Sequence, residues 1–185
     1  MHMQANDVPN YLLHEAVVGP TKSKTMFVVE KSDKSFDDSP AAWYGQALGW
    51  FGDEHNDQSS RLYEGRPIIE RDGWGMIEVP VESLAAILGP YDFINLIDMD
   101  IQGAEADLID NSKDVLRCKV HRVHIGTHSH EIEDRIRSTM TGMGWIKEWD
   151  FPCLSETETP YGLVNFGDGV QSWTNPAHDV KGNPV

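Results

Sequence analysis

Residues 92–105, Asp-Phe-Ile-Asn-Leu-Ile-Asp-Met-Asp-Ile-Gln-Gly-Ala-Glu, constrain the fold more than any other stretch of the chain. Phe93 to Met99 is a nearly continuous apolar run of strand length, the pattern of a strand buried on both faces as in a parallel sheet. The run ends at Asp98 and Asp100, and Gln102-Gly103-Ala104-Glu105 then opens a helical pattern with Leu108 and Ile109 as its apolar stripe. Two carboxylates and an amide therefore gather where a buried strand gives way to a helix. In open α/β sheets that carboxyl edge is where ligands bind. The competing reading is that Asp98 or Asp100 merely caps the helix.

Around this stretch, Tyr11 to Val18 and Met26 to Val29 predict a strand and its returning partner, joined through a Gly19-Pro20 turn. Residues 30–72 turn polar and irregular and enclose an aromatic island, Trp43-Tyr44-Gly45 to Trp50-Phe51. A loop of that length is functional or mobile in most compact domains, so its aromatics are either a lid over a small-molecule pocket or staples to the core. Trp74 to Val79 predicts a strand and Val81 to Leu88 a short helix stopped by Gly89-Pro90. A strand over Lys119 to Gly126 follows. An amphipathic helix over Ser129 to Met143 comes next, with Ser129 as N-cap, Glu131 and Glu133 in its first turn, and Ile132, Ile136 and Met140 as its stripe. Trp145 to Asp150 and Tyr161 to Phe166 read as two closing strands without a helix between them, and residues 177–185 as a tail. The expected fold is a single α/β domain, its sheet mostly parallel with an antiparallel edge strand.

Charge narrows the partners. Fifteen Lys and Arg stand against 30 Asp and Glu, a formal net charge of −15, and no basic run occurs. Such a surface repels phosphate backbones and anionic lipid, which argues against nucleic acid and membrane surfaces as partners. Cys118 and Cys153 have no metal-type spacing and are expected as reduced thiols in a cytoplasmic protein. No apolar segment reaches the roughly 18 residues that span a bilayer, and the first residues lack a secretory pattern.

A second cluster runs from His121 to Glu131, with His121, His124, His128 and His130. Strand alternation puts His121 and His124 on opposite faces, so they cannot serve one ion together. Thr127, His128 and His130 fall at the carboxyl end of that strand, on the same edge as Asp98 to Gln102 if the two strands are neighbours. His128 with Asp98 or Asp100 could hold a metal. It could equally act as a general base, since imidazoles titrate near neutrality, or simply brace the following helix. No Gly-rich turn follows a strand and opens a helix, and no nucleophile elbow occurs.

The run Ile97-Asp98-Met99-Asp100-Ile101-Gln102-Gly103-Ala104-Glu105 closely resembles the hallmark of the FkbM-family methyltransferases, and Val123-His124-Ile125-Gly126-Thr127-His128 is similar to that family's next strand. Val79 to Leu88 and Glu15-Ala16-Val17 resemble further parts of it. The resemblance implies a Rossmann-like class I sheet and S-adenosyl-L-methionine as cofactor, with a hydroxyl oxygen as the methyl acceptor. Carried over, it puts Asp100 and His128 in catalysis, Asp98, Gln102, Glu105 and Thr127 at the substrate, and Glu15 and Ala16 near the adenine. Asp98 stands where many members carry Lys, and Gln102 where many carry Glu.

By the same register, the first two strands and the Gly-rich turn of the family's cofactor-binding half precede Met1. The sheet edge left bare would need an amino-terminal segment or a second copy of the chain to cover it. Two rival readings follow: a non-catalytic methyltransferase-like binding domain, and a metal-dependent enzyme built on His128 with Asp98 or Asp100.

Overall fold

The computed structural model describes residue 6 and residues 9–31, 57–71 and 74–178. In chain order it contains β1 (Val17–Gly19), β2 (Ser23–Lys31), β3 (Asp57–Tyr63), β4 (Arg66–Arg71), β5 (Trp74–Ser83), α1 (Leu84–Leu88) and β6 (Ile94–Met99). There follow α2 (Glu105–Asn111), α3 (Lys113–Lys119), β7 (Val120–Thr127), α4 (His130–Gly142), β8 (Ile146–Phe151), β9 (Ser155–Thr159), β10 (Gly162–Phe166) and β11 (Gly169–Thr174). The fold is mixed α/β, with one five-stranded sheet, one four-stranded sheet and a separate two-stranded hairpin.

The first sheet is built on β5, where Ile77, Val79 and Val81 are buried while Glu78 and Pro80 face out, the alternation of a strand with one covered face. One side of β5 pairs along its length with antiparallel β2. The other side takes parallel β1 at its carboxyl end and antiparallel β4 at its amino end. The first two strands therefore do not form the expected hairpin, because β1 runs parallel to β5 and both use β5 as their partner. Within the stretch expected to be irregular, β3 and β4 form a hairpin turning at Glu64-Gly65, whose φ angles of 47° and 79° suit a tight two-residue turn. The aromatic island lies outside the described residues.

The second sheet has the order β6-β7-β11-β8. Here β6 and β7 are parallel, and β11 runs antiparallel to both β7 and β8. The antiparallel strand thus lies inside the sheet rather than at its edge, and it is Gly169–Thr174. Gly162–Phe166, expected as the closing strand, pairs with β9 instead. A buried Gln171 interrupts the apolar pattern of β11, a strand that the sequence reading left unassigned. Both ends of its amide are bonded, the nitrogen donating to Glu133 O at 3.1 Å and the oxygen accepting from Trp173 Nε1 at 3.1 Å, as burial requires.

Helices α2, α3 and α4 supply the core against this sheet: Leu108, Ile109, Leu116, Ile136 and Met140 meet Val120, Val123, Ile125 and Trp173. Each such aliphatic side chain contributes about 1.5–3 kcal/mol by leaving water. Among the described residues β6 has β7 as its one strand neighbour, and Asn95, Leu96 and Asp98 are exposed, Leu96 by 56%. Burial on both faces, expected from the apolar run, is therefore not met.

The approach to β6 is fixed from α3. Lys119 Nζ donates to Leu88 O, Gly89 O and Tyr91 O at 3.3, 3.0 and 2.7 Å, gathering the carbonyls left open where α1 ends. Ser129 caps α4 as its sequence predicts, accepting from Ile132 N at 3.3 Å. No helix among the described residues is long and apolar enough to cross a membrane.

Candidate active site

Parallel pairing sets Asp98 beside His124 and Met99 beside Ile125, so β6 and β7 end on one edge of the sheet. Asp100 leaves β6 there, and Thr127-His128 closes β7. Between Asp100 and α2 the chain reverses through Gln102 and Gly103, whose φ angles are 55° and 103°. The left-handed conformation is free for glycine but costs about 1–2 kcal/mol at Gln102. Gln102 recovers part of it, its Nε2 donating to Asp100 Oδ1 at 2.9 Å.

Neither Asp98 nor Asp100 caps α2, whose N-cap is Ala104 with no side-chain bond. The completely buried Glu105 ties down the turn instead, accepting from Ile101 N at 3.1 Å and from Gly103 N at 3.0 Å. Both amides would otherwise be orphaned at a helix start.

His128 fits between the two acidic residues. Its Nε2 is 3.2 Å from Asp100 Oδ1 and its Nδ1 is 3.1 Å from Glu105 Oε1. The Nδ1 contact is close but off-line, short of hydrogen-bond geometry, so it acts through charge. The His128 side chain is 16% exposed, Glu105 is buried and Asp100 is 61% exposed, which gives the imidazole one dry carboxylate and one wet one. The position a Cβ would take at Gly126 lies 3.6 Å from Asp100 Cγ, an ordinary contact distance that sets Gly126 directly beside the group.

Four expected residues, Asp100, Gln102, Glu105 and His128, thus come together. Thr127 is buried and turned the other way, its hydroxyl donating to Glu133 Oε1 at 3.1 Å. Asp98 is exposed on the open sheet face beside His124. Glu15 and Ala16 lie just before β1, in the first sheet; Glu15 Oε2 is 3.7 Å from Arg66 Nη2. Among the described residues no hydrogen bond or ion pair joins them to Asp100 or His128. A concavity of about 520 Å³ on the open face is lined by Leu96, Arg122, His124, Trp149 and Ser172; it contains no member of the Asp100–His128 group.

Behind Thr127 is a second polar group that the sequence reading passed over. Glu133, buried in the first turn of α4, accepts from Cys153 N at 2.6 Å and has His130 Nδ1 3.0 Å from its Oε2. Burial pushes its carboxyl up, but the bonds from Cys153, His130 and Thr127 outweigh it and hold the group below the ordinary glutamate range. Burial pushes the Cys153 thiol up, and the neighbouring charge of Glu133 adds to this. A signal did exist in the sequence: Glu133 stands three residues before Ile136 and seven before Met140, on the core face of the helix.

The fold and its edge define a mixed α/β protein with an acid-flanked histidine where two parallel strands end. The FkbM methyltransferase domain matches residues 22–151, and the chain belongs to that family. It is also 36% identical over 85 residues to a protein from Jannaschia sp. (strain CCS1) described as a "Putative methyltransferase". That match covers 45% of this chain and 29% of the relative, so it spans less than a third of the relative's length. No solved structure matches the chain.

Proposed function

We propose that the chain is the acceptor-side part of an S-adenosylmethionine-dependent O-methyltransferase of FkbM type, acting on a hydroxyl of a small molecule or sugar. The observation that carries this is His128 bracketed by Asp100 and buried Glu105, at the carboxyl ends of two parallel strands. The alternation of β6, β7 and β8 with α2, α3 and α4 supports a Rossmann-like sheet. Among the described residues the outer edge of β6 carries no strand, and a further strand would extend the sheet there.

The residues present suit the reacting end of the cofactor, because the exposed carboxylate of Asp100 is a natural neighbour for a cationic sulfonium. When bound, S-adenosylmethionine supplies a methyl group on positively charged sulfur, open to in-line attack by an oxygen. His128 takes the acceptor hydroxyl's proton at Nε2, the nitrogen turned away from Glu105. The Glu105 carboxylate, 3.1 Å from Nδ1, sets a negative charge on the far side of the ring from the acceptor. Asp100, held by Gln102, orients the hydroxyl beside Nε2. Positioning supplies most of the acceleration in such a transfer.

A metal-dependent enzyme is the second reading: Asp100, Glu105 and His128 present ligating atoms within 4.8 Å of one another. His128 Nε2 is 3.2 Å from Asp100 Oδ1, while Glu105 is already committed to two backbone amides. The test is a calorimetric titration of the chain with S-adenosylhomocysteine, the demethylated product. Saturable binding supports the methyltransferase reading. A folded chain that takes up none would favour the non-catalytic binding domain.

A further inference from the structure

His130, Glu133 and Cys153 each present one ligating atom, and these atoms all lie within 4.8 Å of one another. His130 Nδ1 is 3.6 Å from Cys153 Sγ and 3.0 Å from Glu133 Oε2. A tetrahedral zinc ion, with bonds of about 2.3 Å to sulfur and 2.0–2.1 Å to nitrogen and oxygen, sets edges of about 3.5 Å for S···N and about 3.3 Å for N···O. The observed separations are near those of a zinc coordination face. We propose that His130, Glu133 and Cys153 form a zinc site, distinct from the Asp100–His128 group.

Three features support this over other uses of the same side chains. A nucleophilic Cys–His–acid relay needs its acid and its nucleophile on different ring nitrogens, whereas here both address Nδ1. Such convergence on one nitrogen is what a single cation requires. Next, the carboxylate is prepositioned: Oε1 is taken by Cys153 N and the Thr127 hydroxyl, which leaves Oε2 facing His130. These are the partners that orient a ligating carboxylate. Finally, the donor set is chemically selective. A thiolate with an imidazole excludes magnesium and calcium, and thiolate, carboxylate and neutral imidazole together neutralise a divalent charge.

On binding, the Cys153 thiol proton leaves to solvent and the imidazole carries its proton at Nε2, leaving Sγ and Nδ1 free to donate electron pairs to the ion. Three protein ligands leave a fourth position for water. The ion would fasten the segment after β8, which holds Cys153, to the first turn of α4, which holds His130 and Glu133.

The test uses the metal-free chain, titrated with zinc against a chromophoric chelator and with cobalt(II) as a spectroscopic probe. The expected result is one saturable equivalent, a thiolate-to-cobalt charge-transfer band with tetrahedral ligand-field bands, and a thermal midpoint raised by zinc. His130→Ala, an exposed position that should not disturb folding, lowers affinity at least about tenfold, and Cys153→Ser abolishes the charge-transfer band. His128→Ala leaves both unchanged. A wild-type chain with no saturable zinc uptake would overturn the proposal. So would zinc binding unchanged in His130→Ala, or weakened equally by His128→Ala.

Discussion

Glu105 and His128 meet across the gap between the start of α2 and the end of β7, with Oε1 and Nδ1 3.1 Å apart and the carboxylate wholly out of water. The same carboxylate accepts from Ile101 N and Gly103 N, so one side chain both holds the turn after Asp100 and faces the histidine. Glu105→Ala would leave two amides orphaned in a buried place. A loss of about 2–4 kcal/mol is expected in urea unfolding, since each unmet buried group costs about 1–3 kcal/mol. Glu105→Gln still offers an amide oxygen to the turn but removes the charge opposite Nδ1. It should recover much of the stability while keeping a defect in methyl transfer. Equal stability in Glu105→Ala and wild type would remove the argument for the turn.

If His128 accepts the hydroxyl proton at Nε2, His128→Ala lowers the rate of methyl transfer by about 10²–10⁴-fold. Affinity for S-adenosylhomocysteine should stay close to wild type, because the imidazole acts on the acceptor. A variant that binds this product many-fold more weakly, at an unchanged maximal rate, would make His128 a cofactor contact instead.

Most of the second sheet was legible because its parallel strands carry dense apolar runs and its long helix carries a clear stripe and cap. Ile97 to Glu105 pointed to the sheet edge and to the residues of the candidate site that meet there, since the spacing of Asp100, Gln102 and Glu105 reflects a turn only a few residues long. What escaped reading escaped for local reasons. The strand β11 buries Gln171 where an apolar residue was awaited, and the hairpin of β3 and β4 is too polar to show alternation. Thr127 ends the right strand but, by the period of two, faces away from His128 and toward Glu133. In the group of His130, Glu133 and Cys153, the cysteine comes from 23 and 20 residues beyond the other two, and no local spacing encodes that meeting.

Acid should weaken the attachment of α4 to β8. Arg137 grips Asp150 with two parallel bonds, Nε to Oδ2 at 2.9 Å and Nη2 to Oδ1 at 3.0 Å, and Lys147 Nζ adds a third at 2.6 Å. Burial pushes the Asp150 carboxyl up, but the bonds from Arg137 and Lys147 prevail and hold it below the ordinary aspartate value. A depressed folded-state pKa means the stabilisation is complete above the unfolded pKa, about 3.9, and is lost as pH falls through the lower folded value. Asp150→Asn should therefore cost about 1–3 kcal/mol at neutral pH. The difference from wild type should shrink as pH falls below about 4, because Asp150 is then protonated in the unfolded chain first and, lower still, in the folded one. Unfolding curves at neutral and acid pH that run parallel for the two proteins would refute this.

Gly169 opens β11 directly against the buried carboxylate. A Cβ added there would collide with Glu133 Oε1, with the Thr127 hydroxyl and, at 2.6 Å, with Cys153 N. The obstacles are a backbone nitrogen and two side-chain oxygens that bond to one another, so none is the loose end of a flexible chain that could swing aside. Overpacking of a rigid core typically costs about 1–3 kcal/mol, and displacement of Glu133 would also break the bonds from Cys153 N and Thr127. Gly169→Ala is accordingly expected to destabilise the chain by about 2–4 kcal/mol in denaturant unfolding. Val170, the next residue, is only half-buried, and Val170→Ala should cost less than half as much. Equal losses at the two positions would mean that β11 is merely sensitive to substitution and that Gly169 is not the keystone of the Glu133 group.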